Sequence, residues 1–219
     1  MITISDYTRN GSFSVNYLVD PMYITKECNS EIIVGRNAMF GTMLFVDNEI
    51  QISTLDYDKY HDKMMQLANP KDDEDILVIG DGDGGFTQYA SRGSQIEYVE
   101  QSKKIMKIGE TYFGALWNYV KKVNVMPIQD FVPTKKYDVI LLAITDDFNR
   151  TPLVNWIKTF ISWLNPGGRL VSQVGCLLDY TYDEIKSIYD GLDMFSKKEY
   201  DTDYYLSFLS HHTFFKGVL

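Results

Sequence analysis

The sequence predicts an α/β protein in which a small antiparallel β domain precedes a doubly wound sheet. From Ile76 onward, short apolar runs alternate with helix-compatible stretches, which is typical of a parallel sheet with helices on both faces. The segment ILVIGDGDGG at 76–85 is an apolar run that ends in a glycine-rich turn. Before it, short strand-like segments separated by Gly, Asn and Asp reach residue 53. The second part is therefore predicted to be Rossmann-like.

The N-terminal part is predicted as a β domain over residues 1–55, and the Rossmann-like domain as residues 56–219. The β domain contains four predicted strands, at 12–19, 31–36, 41–47 and 49–53. Residues 56–67 are predicted to be a helix, because Tyr57, Tyr60 and Met64 recur near helical spacing. A polar linker, 69–75, separates this helix from the alternating pattern.

The alternating part supplies the elements of the larger sheet. We predict strands at 76–79, 96–100, 123–126, 137–143 and 169–174, with helices at 85–92, 102–119 and 152–163. The segment NPGG at 165–168 is a clear stop between a helix and a strand. The tail is predicted as a helix at 181–190 and one or two strands within 195–215. A ligand of such a sheet binds at the carboxyl ends of the strands.

Composition and charge exclude several classes of function. The chain has 219 residues, of which 45% are hydrophobic, so a packed core is expected. A formal net charge of −9 disfavours nucleic acid as a partner and suits small cations such as polyamines. Two cysteines form no disulfide framework, and the chain has no CxxC or HExxH motif, so we expect no metal site.

The sequence also favours a cytoplasmic protein with no membrane partner. The N-terminus, MITISDYTRNGSF, is polar and lacks the apolar core of a signal peptide. The longest apolar run, VILLAI at 139–144, is far shorter than the ~20 residues of a membrane span. Such a run suits a buried strand.

The glycine-rich turn predicts a nucleoside site. Gly80, Gly82 and Gly84 allow a tight turn and a close approach of the backbone to a ligand. Glu100 ends the next predicted strand, where its carboxylate can accept hydrogen bonds from a ribose diol. The alternative is a tight turn without a ligand.

Two acids within the turn favour a cationic ligand. Asp81 and Asp83 would repel a pyrophosphate, whereas the sulfonium of S-adenosylmethionine (SAM) or a relative would be attracted. In the alternative, Asp81 points to solvent and Asp83 only caps the following helix.

Four segments, in this order, resemble the spermidine synthases, or polyamine aminopropyltransferases. They are GTMLFVDNEIQISTLDYDKYHDKM at 41–64, GDGDGG at 80–85, YDVILLAITDD at 137–147 and LNPGGRLVSQ at 164–173. The resemblance implies a small β domain on a Rossmann-like domain of the class I methyltransferase type. It implies decarboxylated SAM, or SAM, as a co-substrate, a polyamine as the second substrate, no prosthetic group, and a homo-oligomer.

The resemblance also implies roles for single residues. Gln51 and His61 match residues that bind the nucleoside, Tyr60 matches a tyrosine at the reacting centre, and Asp83 matches the acid that holds the propylamine. Glu100 matches the ribose acid. Asp130 matches the acid that recognises the adenine amino group, with Gln129 as the alternative one position away. Gln51, Tyr60 and His61 also have ordinary structural interpretations, and His211 and His212 are predicted only to complete a terminal strand.

The chain departs from the family around the amine. Ala143 replaces the acid thought to help deprotonate the attacking amine, and Ile144 replaces the following serine. Asp146 matches a later loop position and is the best remaining catalytic acid. Gly175 and Leu178 stand where the family has Glu and Trp. The nucleoside half of the predicted site is intact, whereas the amine half is eroded.

Three functions are compatible with this pattern. The first is an aminopropyltransferase that uses putrescine or a related amine and releases methylthioadenosine. The second is another enzyme acting on SAM, either a methyltransferase or an intramolecular lyase or cyclase. The third is a nucleoside-binding protein without catalysis.

Overall fold

Two β-sheets organise the chain in a computed structural model that describes residues 1–8, 11–144 and 153–219. The first sheet is antiparallel, with its strands in sequence order. Its strands are β1 (Ile2–Tyr7), β2 (Ser14–Glu27), β3 (Ser30–Asn37), β4 (Gly41–Val46) and β5 (Glu49–Ser53). Asp47 and Asn48 join β4 to β5 with φ of 50° and 69°, the left-handed conformation that a tight hairpin requires.

This sheet is larger than the sequence predicted. Strand β1 was not expected, because its polar alternation was interpreted only as the absence of a signal peptide. Strand β2 continues past its predicted end at 19, through Pro21, to Glu27. The register shifts between Pro21 and Tyr23, so an irregularity accommodates a residue that cannot donate a ladder hydrogen bond.

Helix α1 (Tyr57–Ala68) connects the two sheets. Its buried face, with Met64, Met65 and Ala68, packs on one side of the larger sheet. Asn69 ends the helix in the left-handed conformation and donates its N–H to the Met65 carbonyl. The predicted division between residues 55 and 56 remains a prediction.

The second sheet has seven strands in the order β11-β12-β10-β9-β6-β7-β8. All of its neighbouring pairs are parallel except the two that β12 makes with β10 and β11. The predicted Rossmann-like α/β fold is thereby confirmed. Its strands are β6 (Asp75–Gly80), β7 (Gln95–Glu100), β8 (Lys122–Val125), β9 (Tyr137–Ala143), β10 (Leu164–Cys176), β11 (Lys197–Tyr205) and β12 (Ser210–Val218).

The helices are shorter than predicted. They are α2 (Thr87–Ala90), α3 (Lys103–Ile108), α4 (Leu153–Ser162) and α5 (Tyr182–Asp190). The single helix predicted at 102–119 was wrong: α3 gives way to a wider turn at Gly109–Phe113, and the chain reverses at Gly114 with φ of 78°. A Cβ at Gly109 would collide with the Asp83 backbone, so this glycine lets the segment close against the glycine-rich turn.

The core lies on both faces of the seven-stranded sheet. Along β6, Leu77 and Ile79 join one buried cluster, while Ile76 and Val78 join the other. Because β6 pairs with β7 on one side and β9 on the other, the strand order reverses there, and a crevice opens at the carboxyl ends of these strands. No helix within the described ranges is long and apolar enough to cross a membrane.

Candidate functional site

A cavity of about 460 Å³ occupies this crevice. Strand β5 covers it from the N-terminal sheet, and the carboxyl ends of β6, β7 and β9 form its floor. Predicted site residues that line it are Gln51, Tyr60, Gly80, Gly82, Asp83 and Glu100. The structure therefore brings together most of the residues expected around the nucleoside.

Each glycine of the turn lacks a side chain for a different reason, because an added Cβ would meet different neighbouring atoms at each position. Gly80 has φ of 82°, and a Cβ there would collide with the Ala143 carbonyl on β9. A Cβ at Gly82 would lie 2.7 Å from Ile105 Cγ2 and 3.2 Å from the Glu100 carboxylate, so this glycine keeps space beside the acid. Gly84 instead packs against Ala115 and Trp117 and is not among the residues that line the cavity.

Asp81 points into the protein. Its φ of 60° is uncommon for a residue other than glycine. The carboxylate accepts hydrogen bonds from His61 at 2.7 Å, from the Tyr98 hydroxyl at 2.9 Å and from the Phe86 N–H at 3.3 Å. The residue is only 6% exposed, so the alternative in which Asp81 points to solvent is wrong.

His61 lies beneath the turn and is fully buried. Its Nδ1 donates to the Tyr57 carbonyl at 2.7 Å, and its Nε2 lies 2.7 Å from Asp81 Oδ1. Burial opposes a charged ring, but the Asp81 carboxylate, the Asp83 charge and the Tyr57 hydrogen bond together favour it and raise the pKa of His61 to about 9.

His61 is consequently not placed among the lining residues, where the resemblance implied a nucleoside contact. His61, Asp81 and Asp83 each offer one ligand atom within 4.8 Å of the others, the spacing of a metal site. In this structure Nε2 of His61 contacts both carboxylates, at 2.7 Å from Asp81 and 3.5 Å from Asp83, so the three side chains form a charge network.

Asp83, like Asp81, lines the cavity, but its carboxylate is less fully hydrogen-bonded. Its Oδ1 lies 3.5 Å from His61 Nε2 and finds no hydrogen-bond partner among the described residues. Burial, together with the Asp81 charge, raises the pKa of Asp83 to about 7. A buried carboxylate that lacks a full partner is a natural counter-charge for a cationic ligand.

Glu100 ends β7 at the cavity wall. One carboxylate oxygen accepts the Ser102 N–H at 2.7 Å, which holds the side chain beside Gly82. Burial raises the pKa of Glu100 to about 7, although the Ser102 hydrogen bond opposes this shift. The geometry suits an acid that accepts hydrogen bonds from a diol.

Some of the remaining predicted residues line the cavity, and others do not or lie outside the described residues. Gln129 lines the cavity and Asp130 does not, and the adenine contact of either residue stays a prediction. Asp146, the predicted catalytic acid, lies outside the described residues, and nothing in the structure bears on it. Ala143 and Ile144, which replace family residues, both line the cavity.

The sequence interpretation missed His212. It lines the cavity beside Gln173, whose amide nitrogen lies 3.3 Å from His212 Nδ1. Burial lowers the pKa of His212 to about 4, so the ring is neutral at pH 7. The missing information was the strand pairing: β12 enters the sheet next to β10 and sets His212 opposite Cys176, at the carboxyl end of β10.

Known proteins with similar sequences are aminopropyl-transferring enzymes by name. A polyamine aminopropyltransferase of Thermococcus onnurineus is 23% identical over 194 residues, covering 82% of this chain and 68% of that protein. One from Methanocaldococcus jannaschii is 27% identical over 205 residues, covering 85% and 68%. Spermine synthase of Arabidopsis thaliana is 25% identical over 170 residues, covering 69% and 46%. No family model matches the chain.

Solved structures agree in fold. Spermidine synthase from Thermotoga maritima superposes with a TM-score of 0.81 at 13% identity, covering 99% of this chain and 79% of that one. A spermidine synthase in complex with the transition state analogue AdoDATO gives the same values. The chain spans 46% to 68% of the length of the three relatives above. The resemblance carried by the four motif segments is thus confirmed: the chain is similar in sequence to polyamine aminopropyltransferases and in fold to spermidine synthases.

Proposed function

We propose that this protein binds decarboxylated SAM in the 460 Å³ cavity and transfers its aminopropyl group to an amine, releasing methylthioadenosine. The observation that carries the proposal is Asp83, which lines the cavity with one carboxylate oxygen lacking a hydrogen-bond partner among the described residues, whereas the carboxylate of Asp81 is engaged by His61 and Tyr98. A single acid beside the reacting centre complements the propylammonium of decarboxylated SAM. The names of the relatives support the same reaction.

The lining residues supply a binding role for each part of the nucleoside. Glu100 accepts hydrogen bonds from the ribose hydroxyls, and Gly82 gives them room. Gln129, or Asp130 if the segment shifts by one residue, contacts the adenine amino group. Gln51 contacts the nucleoside from β5, and Tyr60 borders the propyl carbon.

The reaction is a nucleophilic substitution at carbon. The nitrogen lone pair of a neutral amine attacks the propyl carbon next to the sulfonium, and a C–N bond forms as the C–S bond breaks. The electron pair of the broken bond stays on sulfur, which becomes the neutral thioether of methylthioadenosine, and the new ammonium releases a proton. Because the cation loses its charge at sulfur, the partly apolar cavity and fixed orientation both favour the reaction.

The proton acceptor remains a prediction. A primary amine has a pKa near that of lysine, about 10.4, so little of it is neutral at pH 7 without help. Ala143 offers no base, and we propose Asp146 for this role. We further propose that the protein works in the cytoplasm as a homo-oligomer.

A second candidate function rests on a specific observation. Ala143 and Ile144 line the cavity where the family has an acid and a serine, so an external amine finds fewer polar side chains to bind or deprotonate it. An enzyme that acts on SAM without an amine, a lyase, cyclase or methyltransferase, would not need those groups. Binding without catalysis is the third outcome.

One assay separates these functions. Methylthioadenosine is measured after incubation with decarboxylated SAM or SAM, with and without 1,4-diaminobutane. The proposal expects release only with decarboxylated SAM and the amine together, with the aminopropylated amine formed in equal amount. Equal release without amine would replace the transferase with a cleaving enzyme. Binding with no product for any of several amines would favour a non-catalytic role.

A further inference from the structure

The hairpin formed by β2 and β3 extends from the N-terminal sheet to the start of α3. Cys28, at its tip, has φ of 55°, the left-handed conformation of a tight turn. Just before this turn, the Thr25 hydroxyl and the Lys26 carbonyl both accept hydrogen bonds from Lys104 Nζ on α3, the first at 3.2 Å. The tip of the hairpin is therefore attached to the helix that follows Glu100.

Ser102 is the residue at which the hairpin meets Glu100. It is the N-cap of α3 and is buried, and its Oγ accepts the Ile105 N–H at 2.9 Å. Its hydroxyl donates to a carboxylate oxygen of Glu27, next to the hairpin turn. Its backbone N–H donates to Glu100 Oε1 at 2.7 Å. Ser102 thus links an acid of the N-terminal sheet to an acid of the nucleoside cavity.

These hydrogen bonds determine which carboxylate oxygen of Glu100 is left for a ligand. Oε1 accepts the Ser102 N–H, whereas Oε2 lies on the side of Gly82, 3.2 Å from the place that a Cβ on this glycine would take. Because the Ser102 hydroxyl accepts one hydrogen bond and donates another, its position is fixed from two sides. The direction of the Glu100 carboxylate therefore depends on Glu27, which is not among the residues that line the cavity.

We propose that Glu27 is a positioning residue for nucleoside binding, which acts through Ser102 to hold Glu100 Oε2 toward the ribose hydroxyls. This proposal rests on the proposed function. Glu27 also has an electrostatic effect on the same acid. Burial raises the pKa of Glu100 most, and the charges of Asp81 and Glu27 add to this rise.

The test measures how strongly the protein prefers a nucleoside that carries the ribose diol. Calorimetry compares methylthioadenosine with its 2′,3′-dideoxy analogue, and the wild-type protein should bind methylthioadenosine at least tenfold more tightly. Glu27→Ala should reduce this ratio at least threefold by weakening methylthioadenosine alone, and unchanged affinity for the analogue shows that the variant is folded. Glu27→Gln should keep the wild-type ratio at pH 8, because its amide oxygen still accepts the Ser102 hydroxyl.

The pH dependence separates the charge of Glu27 from its positioning role. Protonation removes the charged acceptor of Glu100, so wild-type affinity for methylthioadenosine should fall as the pH decreases through the pKa of about 7. In the Glu27→Gln variant the neighbouring charge is absent, so the pKa of Glu100 is lower and this fall should occur at a lower pH. A residue that only stabilised the hairpin would leave the pH of the fall unchanged.

Glu31→Ala is the matched control, because Glu31 lies on the same hairpin, opposite Lys26, and should leave the ratio unchanged. Equal binding of the two nucleosides by the wild-type protein, or an unaltered ratio in Glu27→Ala, overturns the positioning role. If methylthioadenosine does not bind at all, the proposed function fails instead. Amide hydrogen exchange of the Ser102 N–H in free protein then decides separately: faster exchange in Glu27→Ala than in Glu27→Gln supports the link, and equal exchange overturns it.

Discussion

The Nε2 atom of His61 lies 2.7 Å from Oδ1 of Asp81, and both side chains are buried beneath the glycine-rich turn. The carboxylate of Asp81 is engaged by His61 and Tyr98, whereas Oδ1 of Asp83 has no hydrogen-bond partner among the described residues. Of the two acids of the turn that line the cavity, Asp83 is therefore the one left to meet a cationic ligand. A buried pair that loses one partner is strongly destabilising, so the turn depends on the charge of His61.

Replacing His61 should change how stability depends on pH. Because the pKa of His61 is raised to about 9 from an ordinary 6.5, its stabilisation is fully present below pH 6.5 and is lost as the pH rises through 9. We expect the urea concentration at the unfolding midpoint of the wild-type protein to decrease as the pH is raised from 6.5 to 9.5. The His61→Gln variant should have a lower midpoint than wild type at pH 6.5, and its midpoint should decrease less over this pH range. His211→Gln, at an exposed histidine, should behave like wild type; an unchanged slope in His61→Gln would contradict the ion pair.

Adding a methyl group at Gly85 should destabilise the fold. A Cβ at this position would lie 2.1 to 2.3 Å from three atoms of the His61 ring, and neither the buried ring nor the turn can move aside freely. Gly85→Ala is expected to cost about 1–3 kcal/mol of unfolding free energy, the usual scale of overpacking, or more. Gly191→Ala is the control, since Gly191 has φ of −72° and its nearest atom to a Cβ is 3.9 Å away. Equal stability of the two variants would show that the turn and His61 are not tightly packed.

Glu100→Gln should weaken nucleoside binding. The charged acceptor beside the ribose becomes a mixed donor and acceptor, so we expect a loss of ~1–3 kcal/mol in the binding free energy of methylthioadenosine by calorimetry. Glu97→Gln is the matched control on the same strand: Glu97 is buried with Asn124 and Tyr137, so its loss should lower stability without lowering affinity. Unchanged affinity in a folded Glu100→Gln protein would remove Glu100 from the site.

Asp83 should make ligand choice depend on charge and on pH. Decarboxylated SAM lacks the carboxylate of SAM, which Asp83 would repel, so the protein should bind decarboxylated SAM more tightly than SAM. The Asp83→Asn substitution should reduce this difference in affinity. Since the pKa of Asp83 is raised to about 7, its ionised fraction falls about tenfold per pH unit well below that value. Affinity for decarboxylated SAM relative to neutral methylthioadenosine should therefore fall from pH 8 to pH 6.

The Asp83→Asn variant is the control for this pH dependence. Its affinity for decarboxylated SAM relative to methylthioadenosine should not change between pH 8 and pH 6. Competitive binding measurements give both the preference and its pH dependence. Tighter binding of SAM than of decarboxylated SAM would contradict the role of Asp83 and favour the second candidate function.

Asp146 and Ala143 should govern turnover without governing nucleoside affinity. If Asp146 holds or deprotonates the amine, Asp146→Asn should lower turnover by roughly 10²-fold or more, the scale for loss of a positioned base. Ala143→Asp would restore the family's acid at the cavity wall and should raise turnover with 1,4-diaminobutane. Methylthioadenosine release is the measurement, and its binding affinity in each variant is the control. Wild-type turnover in Asp146→Asn would exclude this residue as the base.

The sequence predicted the fold and the neighbourhood of the site because these depend on local patterns. Alternating apolar runs give the sheet, and a turn of glycines followed one strand later by Glu100 marks its carboxyl edge. Side-chain direction was not predictable in the same way. The inward turn of Asp81 depends on its positive φ and on buried partners from α1 and β7, which are far apart in sequence. His212 reaches the cavity through an antiparallel pairing that no local pattern specifies.

Strand β12 (Ser210–Val218) lies inside the seven-stranded sheet, between β10 and β11, although it is made after both of them. During synthesis the edge of β10 therefore stays open until β12 leaves the ribosome, and an open edge is a template for pairing with other chains. The same strand brings His212 to the wall of the nucleoside cavity. A nascent chain therefore completes this wall only in the step that closes the edge of β10.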